Sequence, residues 1–308
     1  MCRRLRVTVL ILPFFVVAAF SGGCDRPAVD ESAVERVFGR AGRALGEFHY
    51  PRGIAVSPID GRVFVVDKTA RVQRFSPDGE VEHHWRMPEW KNGKPTGLYV
   101  DGHNRVWVPD THYHRVICYD RDGREQFRFG SRGEGPGQFI FPTAVLLDDE
   151  GYIYVGEYGG NDRISKFSPD REYLFSFADQ GEGWVDRPTE ILMDKDDILW
   201  VADACNRRIC QYTRDGKFIR AFPIGGNEPG QFSFPFGMAF ERSGTLLIAD
   251  RCNNRIVRMD RLGKELESWG TQGRGKGQLL QPWGVAVGSG GRIYCLDSWN
   301  YRVQVINW

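Results

Sequence analysis

An acidic residue closing a short apolar run, with an arginine four to six residues later, recurs six times along this chain. The acids are Asp67, Asp110, Glu157, Asp203, Asp250 and Asp297, spaced by 43, 47, 46, 47 and 47 residues. The arginines are Arg71, Arg115, Arg163, Arg208, Arg255 and Arg302. A proline opens each unit, at Pro51, Pro95, Pro142, Pro188, Pro235 and Pro282. Self-similarity at this period belongs to solenoids and propellers, whose units bury their apolar faces only against their neighbours.

Each unit reads as four short strands. The first follows the proline and is almost continuously apolar ("GIAV", "GMAF", "GVAV"), as expected of an inner strand covered on both faces. The second ends on the acid ("LWVAD", "LLIAD"), the third starts at the arginine ("RISKF", "RIVRM"), and turn residues such as "SPDG" separate the third from the fourth. The chain stops just after the third strand of unit six. Residues 33–39, "AVERVFG", look like the fourth strand "EQFRFG" and are expected to complete that last blade. Closing the ring removes open sheet edges. The reading is an all-β, six-bladed β-propeller of four-stranded blades over 33–308, acting as a monomer. The 37 glycines and nine tryptophans suit such a fold.

These motifs resemble the NHL repeat family, whose units carry Pro-x-Gly, Val-Ala-Asp and Asn-x-Arg-Ile/Val. The stretches "FPFGMAF…LLIADRCNNRIVRM" and "QPWGVAV…RIYCLDSWNYRVQVI" carry the likeness best. Blade one lacks the asparagine, and "WRMPEWKNGK" stands where a glycine-rich loop is usual. The resemblance implies the propeller and leaves the function open, because NHL proteins do many things.

The N-terminus reads as a separate element. Arg3, Arg4 and Arg6 precede an apolar run from Val7 to Phe20, which suits a signal peptide and is short for a membrane span. The "GGC" ending at Cys24 resembles a bacterial lipoprotein cleavage box, with Ser21 where that box carries Leu. The organisation expected is therefore a signal at 1–24, lipid on Cys24, a tether at 25–32 and an exported propeller anchored to a membrane. Cys118, Cys205, Cys210, Cys252 and Cys295 form no CxxC pair and read as small buried thiols.

An acid and an arginine repeated in six blades read as architecture, since a catalytic pair is needed once. The asparagine of the same turn is expected to bond local backbone. The G-x-G runs in "GSRGEGPGQF" and "GTQGRGKGQL" precede strands, whereas a phosphate loop opens a helix. What varies between blades is more informative. The residue after each proline gives Arg52, Thr96, Thr143, Thr189, Phe236 and Trp283, and Glu190 stands where other blades mostly keep glycine. The second residue after each acid gives Thr69, His112, Gly159, Cys205, Cys252 and Trp299. Both rings are expected at one mouth of the channel. Arg52, Phe236, Trp283 and Trp299 are the expected recognition anchors, because exposed aromatics and arginine dominate binding sites.

The resemblance extends to peptidyl-amidoglycolate lyases, which bind zinc through histidines at the Pro-His-x position. That ring contains no histidine here; Arg251 matches the lyase arginine, and "ADACNRR" lacks the lyase tyrosine. His112 and His114 with cysteines at equivalent positions offer metal-ligand chemistry only across distant blades. A net charge of +1 and arginines already used by the repeat argue against nucleic acid. The expected function is a binding scaffold for a protein or small molecule at one propeller face, with no metal and no cofactor. The alternative is a lyase or hydrolase in the same mouth, with Arg251, His112, Tyr158 and Glu190 as its polar groups.

Overall fold

The computed structural model describes residues 31–222, 226 and 230–308. The expected signal at 1–24, with Cys24, and residues 25–30 of the expected tether lie outside these. Six antiparallel four-stranded sheets form the blades of a closed ring. Blades one to five take residues 51–86, 99–129, 141–177, 188–222 and 235–269. Blade six combines Gly284–Val287, Ile293–Asp297 and Arg302–Ile306 with the N-terminal strand Val34–Phe38. That strand runs antiparallel to Arg302–Ile306, with Phe38 opposite Val303. Val34 and Phe38 are buried while Glu35 and Arg36 are exposed, with a bulge between Val34 and Arg36.

Burial follows position within the blade. The second strands VFVVD, VWVPD, LWVAD, LLIAD and IYCLD are buried at every residue, because neighbouring blades cover both their faces. Outer strands such as Glu265–Trp269 are mostly exposed. At the innermost position the strands nearly touch. A Cβ added at Gly97 would sit 2.1 Å from the Thr143 carbonyl oxygen, and one at Gly237 would sit 2.6 Å from the Gly284 Cα. Glycine is required there by space, and only blades three and four differ, with Ala144 and Glu190.

The repeated acid and arginine pair directly in every blade. Arg71–Asp67, Arg115–Asp110, Arg163–Glu157, Arg208–Asp203, Arg255–Asp250 and Arg302–Asp297 stand 2.7 to 3.3 Å apart. All six acids are buried. They also tie the blade to the loop that enters it. In blade six the Leu280 N–H donates to Asp297 Oδ1 at 2.7 Å. Arg302 meanwhile donates to the carbonyls of Arg274, Gly275 and Gln278. A loop rich in glycine can turn its carbonyls toward one guanidinium. The asparagine differs from the expectation of a purely local backbone contact. Asn300 Nδ2 donates to the Asp297 carboxylate and across to the Gly273 carbonyl, and Asn253 does the same with Asp250 and Gly226.

Blade two departs from this scheme as its sequence does. Its inner strand shrinks to Tyr99–Val100, and the non-glycine linker offers Arg115 the carboxylate of Glu89 in place of carbonyls. Among the described residues no loop N–H reaches Asp110, whose Oδ1 is buried and unpartnered. Burial pushes the Asp110 carboxyl up to about 6, against the pull of Arg115. The cysteines divide. Cys118, Cys210 and Cys295 are buried on strands, as expected; Cys205 and Cys252 are exposed on turns, because the position after the acid-bearing strand leaves the packed sheet.

Candidate functional site

The turns after each acid and the residues before each proline meet at one mouth of the channel. There, arginines and aromatic rings alternate from blade one through blades six, five and four to blade three. Arg52 of blade one lies 5.1 Å from the ring centre of Trp283 in blade six, and Arg251 of blade five lies 4.7 Å from it. Arg251 also approaches Phe234 at 5.6 Å, which Arg187 of blade four approaches at 5.7 Å. Arg187 stands 4.6 Å over Tyr158 of blade three. Tyr158 packs on Phe141 at 5.3 Å, and Phe141 on His112 of blade two at 5.5 Å. Every blade contributes.

Arg52, Arg187 and Arg251 are half-buried, and none has an ion-pair partner among the described residues. The Nε of each is buried without a hydrogen bond. Burial first, then mutual repulsion, pushes Arg52 and Arg251 below the ordinary arginine range, though a guanidinium stays charged. Cation–π contact offsets part of the missing carboxylate, by about 0.5–2 kcal/mol each. Burial and the nearby Lys94 and Arg52 push His112 down, so its imidazole stays neutral with Nδ1 unpartnered.

A cavity of about 290 Å³ opens beside this array between blades one and six, lined by Tyr50, Arg52, Lys68, Arg251, Trp283 and Trp299. Below it the channel narrows among Thr96, Thr189, Glu190, Phe236 and Trp283 to about 10 Å³. That is at most one water molecule, so the mouth has a floor.

The residues expected from sequence fall into distinct roles. Arg52, Arg251, His112 and Tyr158 lie in the array. Trp299 is exposed at 47% and forms the cavity rim. Phe236 and Trp283 are buried at 2% and 8%, with ring centres 4.4 Å apart, so they are packing residues first, and Trp283 alone offers a stacking face to arginine. The hydroxyls of Thr96, Thr143 and Thr189 are spent inside the ring: Thr143 Oγ1 donates to Gly156 and Pro188 carbonyls, Thr189 Oγ1 to Phe236, and Thr96 meets Thr111. No hydrogen bond joins any two of Arg251, His112, Tyr158 and Glu190 among the described residues. No group of three or more metal-ligating side chains occurs among the described residues either.

Sequence reasoning missed Arg187, Phe234 and Phe141. All three sit immediately before a blade-opening proline, a third ring that also holds Tyr50, Lys94 and Gln281. The signal was available, since a proline restricts the residue before it. Arg187, Tyr50 and Gln281 adopt left-handed φ of 61°, 50° and 50°, an uncommon conformation for such side chains. The Arg187 N–H is held in place by Asp162 Oδ1 at 2.7 Å.

Comparison with known proteins places this architecture. Residues 279–306, most of blade six, match the NHL repeat model. NHL repeat-containing protein 3 of Mus musculus is 29% identical over 189 residues, covering 55% of this chain and 54% of that protein. The chain thus spans about half the length of that relative. Peptidylglycine alpha-amidating monooxygenase of Rattus norvegicus is 29% identical over 41% of this chain and 14% of its own length. Among solved structures, a streptogramin B lyase superposes with a TM-score of 0.65 over 88% of this chain and 97% of its own, at 17% identity, a likeness of fold. The chain is thus a six-bladed β-propeller of four-stranded blades, and its sixth blade carries a matched NHL repeat.

Proposed function

We propose that this protein is a binding protein whose cationic–aromatic mouth takes a ligand with a carboxylate, phosphate or sulfate group on an apolar or aromatic body. The observation that carries this reading is the trio Arg52, Arg187 and Arg251. Three half-buried guanidiniums from three blades stack on rings and lack carboxylate partners. Leaving buried donors unmade costs about 1–3 kcal/mol each. An anion would satisfy them together, and Trp299 and Tyr50 would cover its apolar part.

The test is a thermal-shift and calorimetric screen of aromatic carboxylates and phosphates against the matching neutral alcohols. Acids should bind and alcohols should not, and Arg187→Ala with Arg251→Ala should remove the difference. Equal behaviour of acids and alcohols would overturn the reading. A lyase or hydrolase in the same mouth is the second reading, favoured by the likeness to the amidating monooxygenase and by Arg251 and Tyr158 facing the mouth. Turnover of a bound acid, lost with Tyr158→Phe, would move the assignment there.

Export and membrane anchoring through Cys24 belong to the same proposal and rest on residues 1–24. Cys24→Ser should free the protein from the membrane fraction; retention there would refute lipidation.

A further inference from the structure

On the far side of the floor the channel widens again into a funnel of about 580 Å³. Its walls are the inner strands, with Ile54, Leu98, Leu146, Leu192 and Met238 among the lining side chains. Its rim carries Asp148, Asp149, Asp194, Lys195, Asp197 and Arg214, with Arg214 paired to Asp149 and Asp197 and Asp194 paired to Arg261. The arginine-bearing mouth has the opposite character.

Glu190 closes the narrow end. It lines both the floor and the funnel, and its equivalents are Gly53, Gly97, Ala144, Gly237 and Gly284. Four of the six blades therefore carry no side chain where blade four carries a carboxyl. Glu190 is half-buried and lines the channel on both sides of its narrowest point. It has no ion pair and no side-chain hydrogen-bond partner among the described residues. Burial pushes it up to about 8, and the only influence the other way is the adjacent Ile191 N–H. Of the opposite mouth's three arginines, Arg52 lines the same narrow floor. A lone carboxyl at the end of an apolar cavity has the form of a ligand-orienting group: apolar walls for the body and one polar group for the end.

We propose that this funnel is a second binding site, for a small amine with an apolar body, whose ammonium meets Glu190 while the chain or ring packs on the inner strands. At neutral pH the carboxyl carries a proton, which leaves to solvent as the ammonium forms its ion pair, so the charge within the funnel balances.

The probes are n-hexylamine and n-hexanol, titrated calorimetrically into the full propeller at pH 7. The amine should bind at least tenfold more tightly than the alcohol. Repeating the titration in buffers of different ionisation enthalpy should show release of up to one proton per amine. Glu190→Gln, close in shape to the protonated acid, should lower amine affinity to that of the alcohol, and Glu190→Leu should do the same. Arg251→Ala should change it less than twofold, which separates this site from the arginine mouth. Equal affinity for both probes, no binding of either, or undiminished amine binding by Glu190→Gln would each overturn the proposal.

Discussion

The guanidinium of Arg251 lies 4.7 Å from the centre of the Trp283 ring, across the junction of blades five and six, with its Nε unpartnered. A half-buried cation resting on an aromatic face destabilises the free protein and is useful once an anion arrives. Arg251→Met keeps the packing and removes the charge. It should raise stability by about 1 kcal/mol, or about 2 °C in thermal midpoint for a domain of this size. The same variant should weaken binding of an aromatic carboxylate at least tenfold. A fall in thermal midpoint would show that the arginine is structural.

Trp283 and Trp299 should separate in their effects. Trp283 packs against Phe236 in the core, so Trp283→Ala should cost about 3–5 kcal/mol. Trp299 is exposed, and Trp299→Ala should stay within about 0.5 kcal/mol in denaturant titrations. Trp299→Ala is the clean probe of binding at the cavity rim.

The six acids should not be equally costly to neutralise. Asp297 accepts from Arg302, Asn300 and the Leu280 N–H, so Asp297→Asn should cost about 3–5 kcal/mol, the range for breaking a buried pair. Asp110 lacks the loop N–H, and Asp110→Asn should be the mildest of the six.

Asp110 also carries a pH signature. Its folded value, about 6, lies above the ordinary 3.8, so between these the folded state holds more proton than the unfolded one. Its contribution to stability is therefore present below about pH 4 and lost as pH rises through 6. The stability difference between Asp110→Asn and wild type should shift toward the variant over that window, read from denaturation midpoints at pH 4 and pH 7. A pH-independent difference would mean that Asp110 does not titrate there.

Removing residues 33–39 should open the ring. The edge of Arg302–Ile306 would lose its partner Val34–Phe38, and Phe38 would leave the core it shares with Phe75 at 5.0 Å. Lower thermal midpoint and concentration-dependent association in light scattering are the expected results. A monomer of unchanged stability would show that closure is dispensable.

The fold was legible because its constraints repeat. Six copies of the acid–arginine pair could be aligned with one another, and the strand 33–39 supplied the one element missing from unit six. The mouth was only partly legible. Arg251, Arg52, His112 and Tyr158 stood out because they vary between blades. Arg187 and Phe234 stand before their prolines, whereas many residues after the prolines turn inward to pack or to bond strand backbone. Whether a side chain at a ring position is spent on a carbonyl, as in Thr143, or left free, as in Arg187, depends on distances between blades that no single repeat encodes.

The run of guanidiniums and aromatic rings around the mouth draws on all six blades, from Arg52 to His112. Such a site has no partial form: each blade holds a single segment of it, and a gap anywhere separates its neighbours. A molecule seated there would act as a clasp, favouring the closed circle over any opened one by as much as it is bound. Occupancy and circular integrity are then two measures of one equilibrium, and a ligand added during refolding would select the chains whose first strand has found its last blade.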